Sequence, residues 1–301
     1  MEINNVAVIG AGTMGNGIAH CFAQHNFKVN LIDVSNIILN NALLNINLNL
    51  NRQLKKNKIS IDLKKNTLKR ITKHINIENG LQNVDFAIEV VSESLLVKKD
   101  IFRKMDAYSP KKAILASNTS SISISELALF TRRESKVIGM HFMNPVPIMG
   151  LIEIIKGLKT SDETITNIEL LSKKLNKTPL IVKDSPGFIS NRILIPMINE
   201  AIEALSQGVS GVYEIDQIMK LGMAHPMGPL RLADLIGLDI CLSIMKVLHK
   251  EFKNDKYKPS QLLIKMVNDS YTGIKAGVGF YDYRISRNNP SISPQFRNKN
   301  I

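Results

Sequence analysis

The chain has 301 residues, of which 44% are hydrophobic and 22% are charged, a composition typical of globular enzymes that excludes an intrinsically disordered protein. No apolar run reaches the roughly 18 residues needed to cross a bilayer, so we expect no membrane-spanning segment. The net charge of +13 would suit nucleic acid, an anionic membrane surface or a polyanionic small molecule as a partner.

The basic residues are densest between Arg52 and Lys73, where the lysines and Arg70 face only one acid, Asp62. No aromatic side chain is interleaved with them, so a surface that stacks nucleic-acid bases is not expected. A solvated helical face explains most of these charges, although one or two of the lysines could bind a phosphate.

Two cysteines, Cys21 and Cys241, are too few for a disulfide framework, and neither has metal-ligand spacing with the histidines. A candidate strand begins at residue 5, which leaves no room for a signal or transit peptide. We therefore expect a cytoplasmic protein without a metal site. Its length allows two domains or one large α/β domain.

The first 33 residues follow the order of a dinucleotide-binding unit. Residues 6–9 are apolar and lead into Gly10-Ala11-Gly12-Thr13-Met14-Gly15, and Asp33 closes the next apolar run, 18 residues after the last glycine. In such a turn the first glycine allows the tight bend, the second lets backbone N–H groups approach a pyrophosphate, and the third lets the helix pack close to the strand. An acid near this distance hydrogen-bonds a ribose 2′-hydroxyl and would repel a 2′-phosphate. The pattern therefore predicts NAD as cofactor in preference to NADP.

Up to residue 184, short apolar runs alternate with helical patterns, which predicts an α/β fold with a doubly wound, mostly parallel sheet. The predicted strands are 5–9, 28–32, 86–91, 113–117, 137–142, 151–155 and 179–183. The predicted helices are 13–25, 35–57, 60–72, 95–107, 123–130 and 162–175. The polar stretch at about 35–72 is long for a simple crossover, so we interpret it as a helical pair projecting from the sheet.

A hydroxyl-rich segment, residues 117–121, follows one predicted strand at the carboxyl edge, where doubly wound sheets bind ligands. Ser120 could hydrogen-bond a substrate oxygen there, or the hydroxyls of this segment could serve only as helix caps.

His141 lies near the end of predicted strand 137–142, and Glu153 interrupts the apolar strand 151–155. A buried carboxylate needs a partner, and a neighbouring imidazole would supply one. Such a pair orients the ring and raises the basicity of its distal nitrogen, which suits acid–base chemistry on an alcohol or ketone. A single histidine is otherwise more often structural, so both interpretations stay open.

The sequence Asp184-Ser185-Pro186-Gly187 marks a boundary, after which the pattern is helical. The predicted helices beyond it are 187–206, 214–221, 229–236, 238–252 and 259–270. We predict a dinucleotide-binding domain at 1–184, an all-helical substrate and dimerisation domain at 185–283, and a polar tail at 284–301 that frays. Asn191 could cap or satisfy a helix, or it could donate to a substrate carbonyl.

Six motifs together resemble the short-chain 3-hydroxyacyl-CoA dehydrogenase family, in its bacterial 3-hydroxybutyryl-CoA dehydrogenase type. They are VAVIGAGTMGNGIA, ASNTSSISI, GMHFMNPVPIM with LIEII, DSPGFISNRIL, MKLGMAHPMGP and GFYDY, and the likeness runs from residue 3 to about 283. The resemblance implies NAD-dependent interconversion of (S)-3-hydroxyacyl-CoA and 3-ketoacyl-CoA, with 3-hydroxybutyryl-CoA and acetoacetyl-CoA as substrates. It also implies a homodimer.

The resemblance further implies roles for individual residues. His141 would exchange the proton of the 3-hydroxyl with Glu153 orienting its ring, while Ser120 and Asn191 would hydrogen-bond the reacting oxygen and the thioester side. The implied cofactor-binding residues are Gly10, Ala11, Gly12, Thr13, Met14, Gly15, Asp33, Glu93, Lys98, Ser120, Asn144 and Lys275. The implied coenzyme A residues are Ser120, Asn49 and Lys56.

Two positions depart from the family pattern: Ser94 stands where asparagine is frequent, and Gly150 stands where lysine is frequent, before the strand that carries Glu153. Two alternatives are kept open. One is a dehydrogenase of a free hydroxyacid or sugar acid, against which the lysine-rich segment argues. The other is a non-catalytic NAD-binding protein, against which the acid–base residues argue. Both a butanol- or butyrate-type fermentation and fatty acid degradation could use the implied activity.

Overall fold

The structure, a computed structural model, describes residues 2–297 and has two compact units, Met1–Ser185 and Pro186–Ile301. The strands of the N-terminal unit are β1 (Asn5–Ile9), β2 (Lys28–Ile32), β3 (Ile71–His74), β4 (Phe86–Glu89), β5 (Ile114–Ser117), β6 (Val137–Phe142), β7 (Leu151–Lys156) and β8 (Thr178–Lys183). Its helices are α1 (Thr13–Gln24), α2 (Asn36–Lys55), α3 (Ile61–Lys69), α4 (Ile77–Leu81), α5 (Leu95–Tyr108), α6 (Ile124–Ala128) and α7 (Asp162–Lys174).

The eight strands form one sheet in the order β3-β2-β1-β4-β5-β6-β7-β8. Every neighbouring pair is parallel apart from β6 and β7, which are antiparallel. The prediction of a doubly wound, mostly parallel sheet is therefore confirmed. The strand order reverses between β1 and β4, and the carboxyl ends of strands at such a reversal are where these sheets bind dinucleotides.

Burial explains why the central strands are apolar without alternation. Val6, Ala7 and Val8 of β1 have no exposed surface, and neither has Ile88 of β4. Strands covered by helices on both faces have no solvent side, so polar residues do not alternate with apolar ones. No helix in the described part of the chain has the length and apolar character to span a membrane.

The prediction of a helix over 60–72 is wrong at its end, because α3 stops at Lys69 and residues 71–74 form β3. This strand lies at the edge of the sheet, beside β2, and only Ile71 among its four residues is buried. A four-residue edge strand with two exposed polar residues carries no apolar run, so periodicity could not reveal it. The short helix α4 was likewise not predicted.

The segment that we interpreted as a projecting helical pair is attached to the unit along much of its length. Helix α2 buries Leu39, Ala42, Ile46 and Leu50 at three- and four-residue intervals, in the same core as the sheet. The Nε2 of Gln24 in α1 also donates to Gln53 Oε1 in α2 at 3.0 Å. The other face of α2 is open to solvent and carries exposed apolar residues such as Ile37, Leu44 and Leu48.

The α-helices described in the C-terminal unit are α8 (Ser190–Ser206), α9 (Val212–Gly222), α10 (Pro229–Ile236), α11 (Leu238–Phe252) and α12 (Gln261–Asn268). Their apolar faces form a separate core that includes Ile198, Ile202, Met245 and Leu248. The prediction of a helical second domain is confirmed. It is not all-helical, however, because β9 (Tyr281–Asp282) and β10 (Ser291–Ile292) pair as a small antiparallel sheet.

The expectation that the tail after Tyr283 frays is wrong for residues 284–297. Phe296 is 6% exposed and stacks on Phe280, with ring centroids 5.7 Å apart, and Ser293 N donates to Phe280 O at 3.0 Å. Average polarity hid Ile292 and Phe296, two apolar residues of the tail that contact the helical core. Residues 298–301 of the predicted tail lie outside the described residues.

The GFYDY segment encloses a buried carboxylate. Asp234 of α10 is 1% exposed and accepts hydrogen bonds from Phe280 N at 3.0 Å, Tyr281 N at 2.9 Å and the Tyr283 hydroxyl at 3.1 Å. Burial raises the pKa of Asp234 to about 7. The charge of Asp216 acts in the same direction, and the three hydrogen bonds act against it. This motif is therefore part of the internal support of the helical unit.

Candidate active site

The glycine turn after β1 has the geometry that its sequence predicts. Gly10 has φ of +103°, and a Cβ placed there would lie 2.5 Å from the carbonyl oxygen of Val90. A Cβ on Gly15 would lie 1.8 Å from the Gly10 carbonyl oxygen. Both positions therefore require glycine, the first for its backbone conformation and the second for the close approach of α1 to the strand end.

The next part of the turn is open and suited to an anion. A Cβ on Gly12 would meet no atom within 4 Å, and among the described residues no side chain caps α1 at Gly12. The first backbone N–H groups of α1 thus keep their donors for a ligand, on the positive end of the helix dipole. Asp33 lies beside them, because its Oδ2 accepts from Ala11 N at 2.9 Å. These residues fit the pyrophosphate and ribose of a dinucleotide.

His141 and Glu153 are directly opposite each other on the antiparallel strands β6 and β7. Their side chains meet, with His141 Nδ1 2.8 Å from Glu153 Oε2, and the two residues are 8% and 3% exposed. A carboxylate that accepts from Nδ1–H fixes the ring orientation and leaves Nε2 as the basic nitrogen of the neutral imidazole. This arrangement can exchange a proton with a substrate oxygen.

The strand that carries Glu153 is held at its start in spite of Gly150. The Gly150 carbonyl accepts from Thr178 N at 2.7 Å, where β8 begins. The backbone at Gly150 is therefore tied to the sheet although no side chain packs there.

Lys98 of α5 is buried between two carboxylates. It is 1% exposed, and its Nζ lies 2.7 Å from Glu89 Oε1 and 3.2 Å from Glu93 Oε2. Burial pushes the pKa of Glu93 upward, but the charge of Lys98 and hydrogen bonds from Thr119, Ser121 and Ser120 outweigh it. The pKa of Glu93 consequently lies below its usual value, and the carboxyl is ionised at neutral pH.

The hydroxyl-rich loop after β5 wraps around Glu93. The Glu93 carboxylate accepts hydrogen bonds from Ser120 N at 3.0 Å, from Ser121 N at 3.1 Å and from the Ser121 hydroxyl at 2.8 Å. The Ser120 hydroxyl lies 3.4 Å from the same carboxylate. The same loop is tied to β6, because Phe142 N donates to Asn118 Oδ1 at 2.8 Å. Ser120, Glu93 and Lys98 thus lie together, and the loop that carries Ser120 is connected to Phe142, the residue that follows His141.

The other predicted site residues lie on further elements of the two units. Asn144 is exposed just beyond β6. Asn49 and Lys56 are seven residues apart near the end of α2, so they lie on one side of the helix, and Asn49 Oδ1 accepts from Arg52 at 2.9 Å. In the helical unit, Asn191 is the second residue of α8, whose start at Ser190 is later than predicted.

Lys275, also in the helical unit, forms an ion pair with Asp239. In the described residues, no group of three or more His, Cys, Asp or Glu side chains could hold a metal ion. Cys21 and Cys241 are buried and free.

Sequence reasoning missed Glu89 and Ser117. Both lie at the carboxyl ends of their strands, side by side in the register of β4 and β5, and Ser117 Oγ donates to Glu89 Oε2 at 2.7 Å. The signal was available, because Glu89 follows the apolar residues Phe86-Ala87-Ile88 just as Glu153 interrupts β7. A carboxylate within a buried strand needs a partner in either case.

Comparison with known proteins gives matches over nearly the whole chain. The family model of the 3-hydroxyacyl-CoA dehydrogenase NAD binding domain matches residues 5–185. The family model of the 3-hydroxyacyl-CoA dehydrogenase C-terminal domain matches residues 187–283. A probable 3-hydroxybutyryl-CoA dehydrogenase of Bacillus subtilis is 47% identical over 283 residues, covering 94% of this chain and 98% of that protein. A 3-hydroxybutyryl-CoA dehydrogenase of Bradyrhizobium diazoefficiens is 49% identical over 282 residues, covering 94% of this chain and 96% of that protein.

Solved structures agree with these matches. The crystal structure of (S)-3-hydroxybutyryl-CoA dehydrogenase PaaH1 from Ralstonia eutropha aligns with a TM-score of 0.90 at 46% identity. The alignment covers 94% of this chain and 99% of that one.

Proposed function

This chain belongs to the 3-hydroxyacyl-CoA dehydrogenase family of NAD-dependent oxidoreductases, and from that premise we propose how its residues carry out the reaction. The substrates are (S)-3-hydroxyacyl-CoA and 3-ketoacyl-CoA thioesters, with 3-hydroxybutyryl-CoA and acetoacetyl-CoA as the pair used. Relatives at 47–49% identity with these names support the assignment. The observation that carries it is the buried contact of 2.8 Å between His141 and Glu153.

His141 accepts the proton of the 3-hydroxyl during oxidation and returns it to the 3-keto oxygen during reduction. Bound NAD supplies the acceptor or donor of the hydride at C3. Glu153 holds the ring in the tautomer with a basic Nε2 and stabilises the imidazolium that forms once the proton has moved. Burial of the pair strengthens this interaction, because little water competes for either group.

Further residues bind and orient the two ligands. The turn from Gly10 to Gly15 binds the pyrophosphate through backbone N–H groups, and Asp33 binds the adenosine ribose. Glu93, Lys98, Ser120, Asn144 and Lys275 line the nicotinamide half. The proximity of Ser120 to Glu93 and Lys98 supports its part in that group.

Ser120 and Asn191 also hydrogen-bond the reacting oxygen and the thioester side of the substrate. For the coenzyme A portion we propose Asn49 and Lys56. Their common side of α2 and the exposed ammonium of Lys56 suit a phosphate.

The function is tested by following NADH oxidation with acetoacetyl-CoA, beside free acetoacetate and an NADPH control. We expect turnover only with the thioester and NADH. Activity on free acetoacetate would favour the hydroxyacid alternative. Bound NADH without turnover of either substrate would favour a non-catalytic NAD-binding protein.

We also propose a homodimer formed through the helical unit. Several apolar side chains of this unit are exposed, among them Ile193 of α8 and Ile218 and Leu221 of α9. Light scattering after size exclusion should give twice the mass of 33.6 kDa, and a monomer would refute the proposal.

Free thiols at Cys21 and Cys241 support a cytoplasmic location.

A further inference from the structure

Glu89 is a fully buried carboxylate at the edge of the sheet where the cofactor is proposed to bind. It is the last residue of β4, has no exposed surface, and is opposite Ile9 in β1 and Ser117 in β5. The next residue, Val90, is the one whose carbonyl contacts Gly10 of the glycine turn. Glu89 therefore lies directly beside the turn and under the loop that carries Ser120.

The side chain of Glu89 accepts three hydrogen bonds. Its Oε1 accepts from Lys98 Nζ and from Val91 N, both at 2.7 Å, and its Oε2 accepts from Ser117 Oγ at 2.7 Å. The Ser117 oxygen itself accepts from Thr119 N at 3.1 Å, which leaves its hydroxyl hydrogen available for Glu89. Each of these partners donates, which suits a carboxylate paired with the Lys98 ammonium.

The cluster of Glu89, Lys98 and Glu93 has one positive and two negative charges. A buried ammonium needs one carboxylate to offset its charge, and Glu89 provides it at 2.7 Å. Glu93, 3.2 Å from Lys98 and partly exposed with 38% of its side chain open, adds a second negative charge. The cluster thus has a net charge of −1 with its open side at Glu93 and Ser120.

We propose that Glu89 is a positioning residue for the cofactor. It holds the Lys98 ammonium in place and gives the cluster its excess negative charge, which favours binding of the oxidised nicotinamide over binding of the reduced one. The inference rests on the proposed function, in which Lys98 and Glu93 line the nicotinamide half. The oxidised ring is positively charged and the reduced ring is neutral. A nearby net charge therefore changes the affinity for one form far more than for the other.

Two substitutions separate charge from shape. Glu89→Gln keeps the shape and can keep each hydrogen bond, since its amide nitrogen can donate to Ser117, but the cluster becomes neutral. Glu89→Asp keeps the charge and shortens the side chain. We expect Glu89→Gln to weaken NAD⁺ binding about tenfold with NADH affinity within about twofold, the change expected for one unit charge within about 10 Å at an effective dielectric constant near 20. Glu89→Asp should keep the ratio of the two affinities close to that of the unaltered protein.

The measurement is NADH binding by its own fluorescence, which tryptophan does not complicate because the chain has none, with NAD⁺ measured by competition. Glu163→Gln is the matched control, since it removes one carboxylate charge from the exposed side of α7. A merely structural role predicts the opposite order: Glu89→Asp would be the more damaging change, and both cofactor forms would be weakened alike. Either result would overturn the proposal.

If Glu89→Gln does not fold by circular dichroism, Glu93→Gln makes the same change of charge at the partly exposed member of the cluster. It must then show the same selective loss of NAD⁺ affinity, and an unchanged ratio overturns the proposal. Failure of the proposed function is distinguishable, because the unaltered protein would then fail to bind NADH or to reduce acetoacetyl-CoA.

Discussion

Replacing Glu153 by glutamine should lower kcat by about 10²- to 10⁴-fold while the fold is kept. The contact with His141 Nδ1 is 2.8 Å long, and the two side chains are 10% and 4% exposed. A charge-assisted hydrogen bond contributes roughly 1.5–3 kcal/mol, which corresponds to about 10- to 150-fold in rate if it stabilises the imidazolium formed in the reaction.

A second effect of the glutamine adds to this loss. The amide nitrogen can donate to Nδ1 of His141, which moves the ring proton to Nε2 and removes the basic nitrogen. In a Ser-His-Asp triad the equivalent substitution costs about 10⁴-fold in kcat, which sets the upper end of the range.

The assay is NADH oxidation at saturating acetoacetyl-CoA, with NADH affinity from fluorescence and thermal unfolding measured alongside. NADH affinity should change less than about twofold, because the proposed cofactor contacts of Asp33 and Lys98 are untouched. Glu163→Gln again serves as the control. A kcat within about threefold of the unaltered protein would refute the assignment of Glu153 as the orienting carboxylate.

Three further predictions follow from particular contacts. Asp33→Ala should weaken NADH binding by about tenfold or more and reduce the difference in affinity between NADH and NADPH. An unchanged affinity for both cofactors would remove the reason for predicting NAD in preference to NADP. Phe296→Ala should lower the free energy of unfolding of the helical unit in urea by about 2–4 kcal/mol, because the ring is 6% exposed and stacks on Phe280; no measurable loss would show that the tail adds nothing. The folded pKa of Asp234 is about 7, above its ordinary 3.8, so its effect on stability is most favourable below pH 4 and declines as pH rises to about 7. Asp234→Asn should flatten this decline, by up to about 4 kcal/mol across the window, and an unaltered pH profile of urea unfolding would contradict the prediction.

The fold could be predicted from the sequence wherever one sequence pattern covered a whole strand, turn or helix. The strand-turn-helix order around Gly10 to Gly15 and the continuous apolar run of β1 each admit few alternatives. Hydrophobic periodicity did not predict β3, a short polar strand at the edge of the sheet. This strand is stabilised by pairing with β2 and not by the preferences of its own residues. The sequence pattern was also insufficient for the tail, where a single aromatic residue, Phe296, outweighs the polar average.

The candidate site was predictable to a similar extent. An acid in an apolar strand led to Glu153, and His141 was the nearest imidazole able to pair with it. The same rule applied to Glu89 would have found the carboxylate that holds Lys98. The rule was not applied there, although the predicted strand 86–91 has Glu89 in its interior; in the structure β4 ends at Glu89.

By itself the sequence determined the doubly wound class, the glycine turn, the acid at Asp33 and the helical second domain, since these depend on residues close together in the chain. Only the tertiary structure decided that β6 and β7 are antiparallel, so that His141 and Glu153 meet across one pair of strands. It alone also placed Glu89, Lys98 and Glu93 in one buried cluster. The physical reason is the same in both cases: burial and charge pairing act between side chains that the chain brings together in space, whatever their separation in sequence.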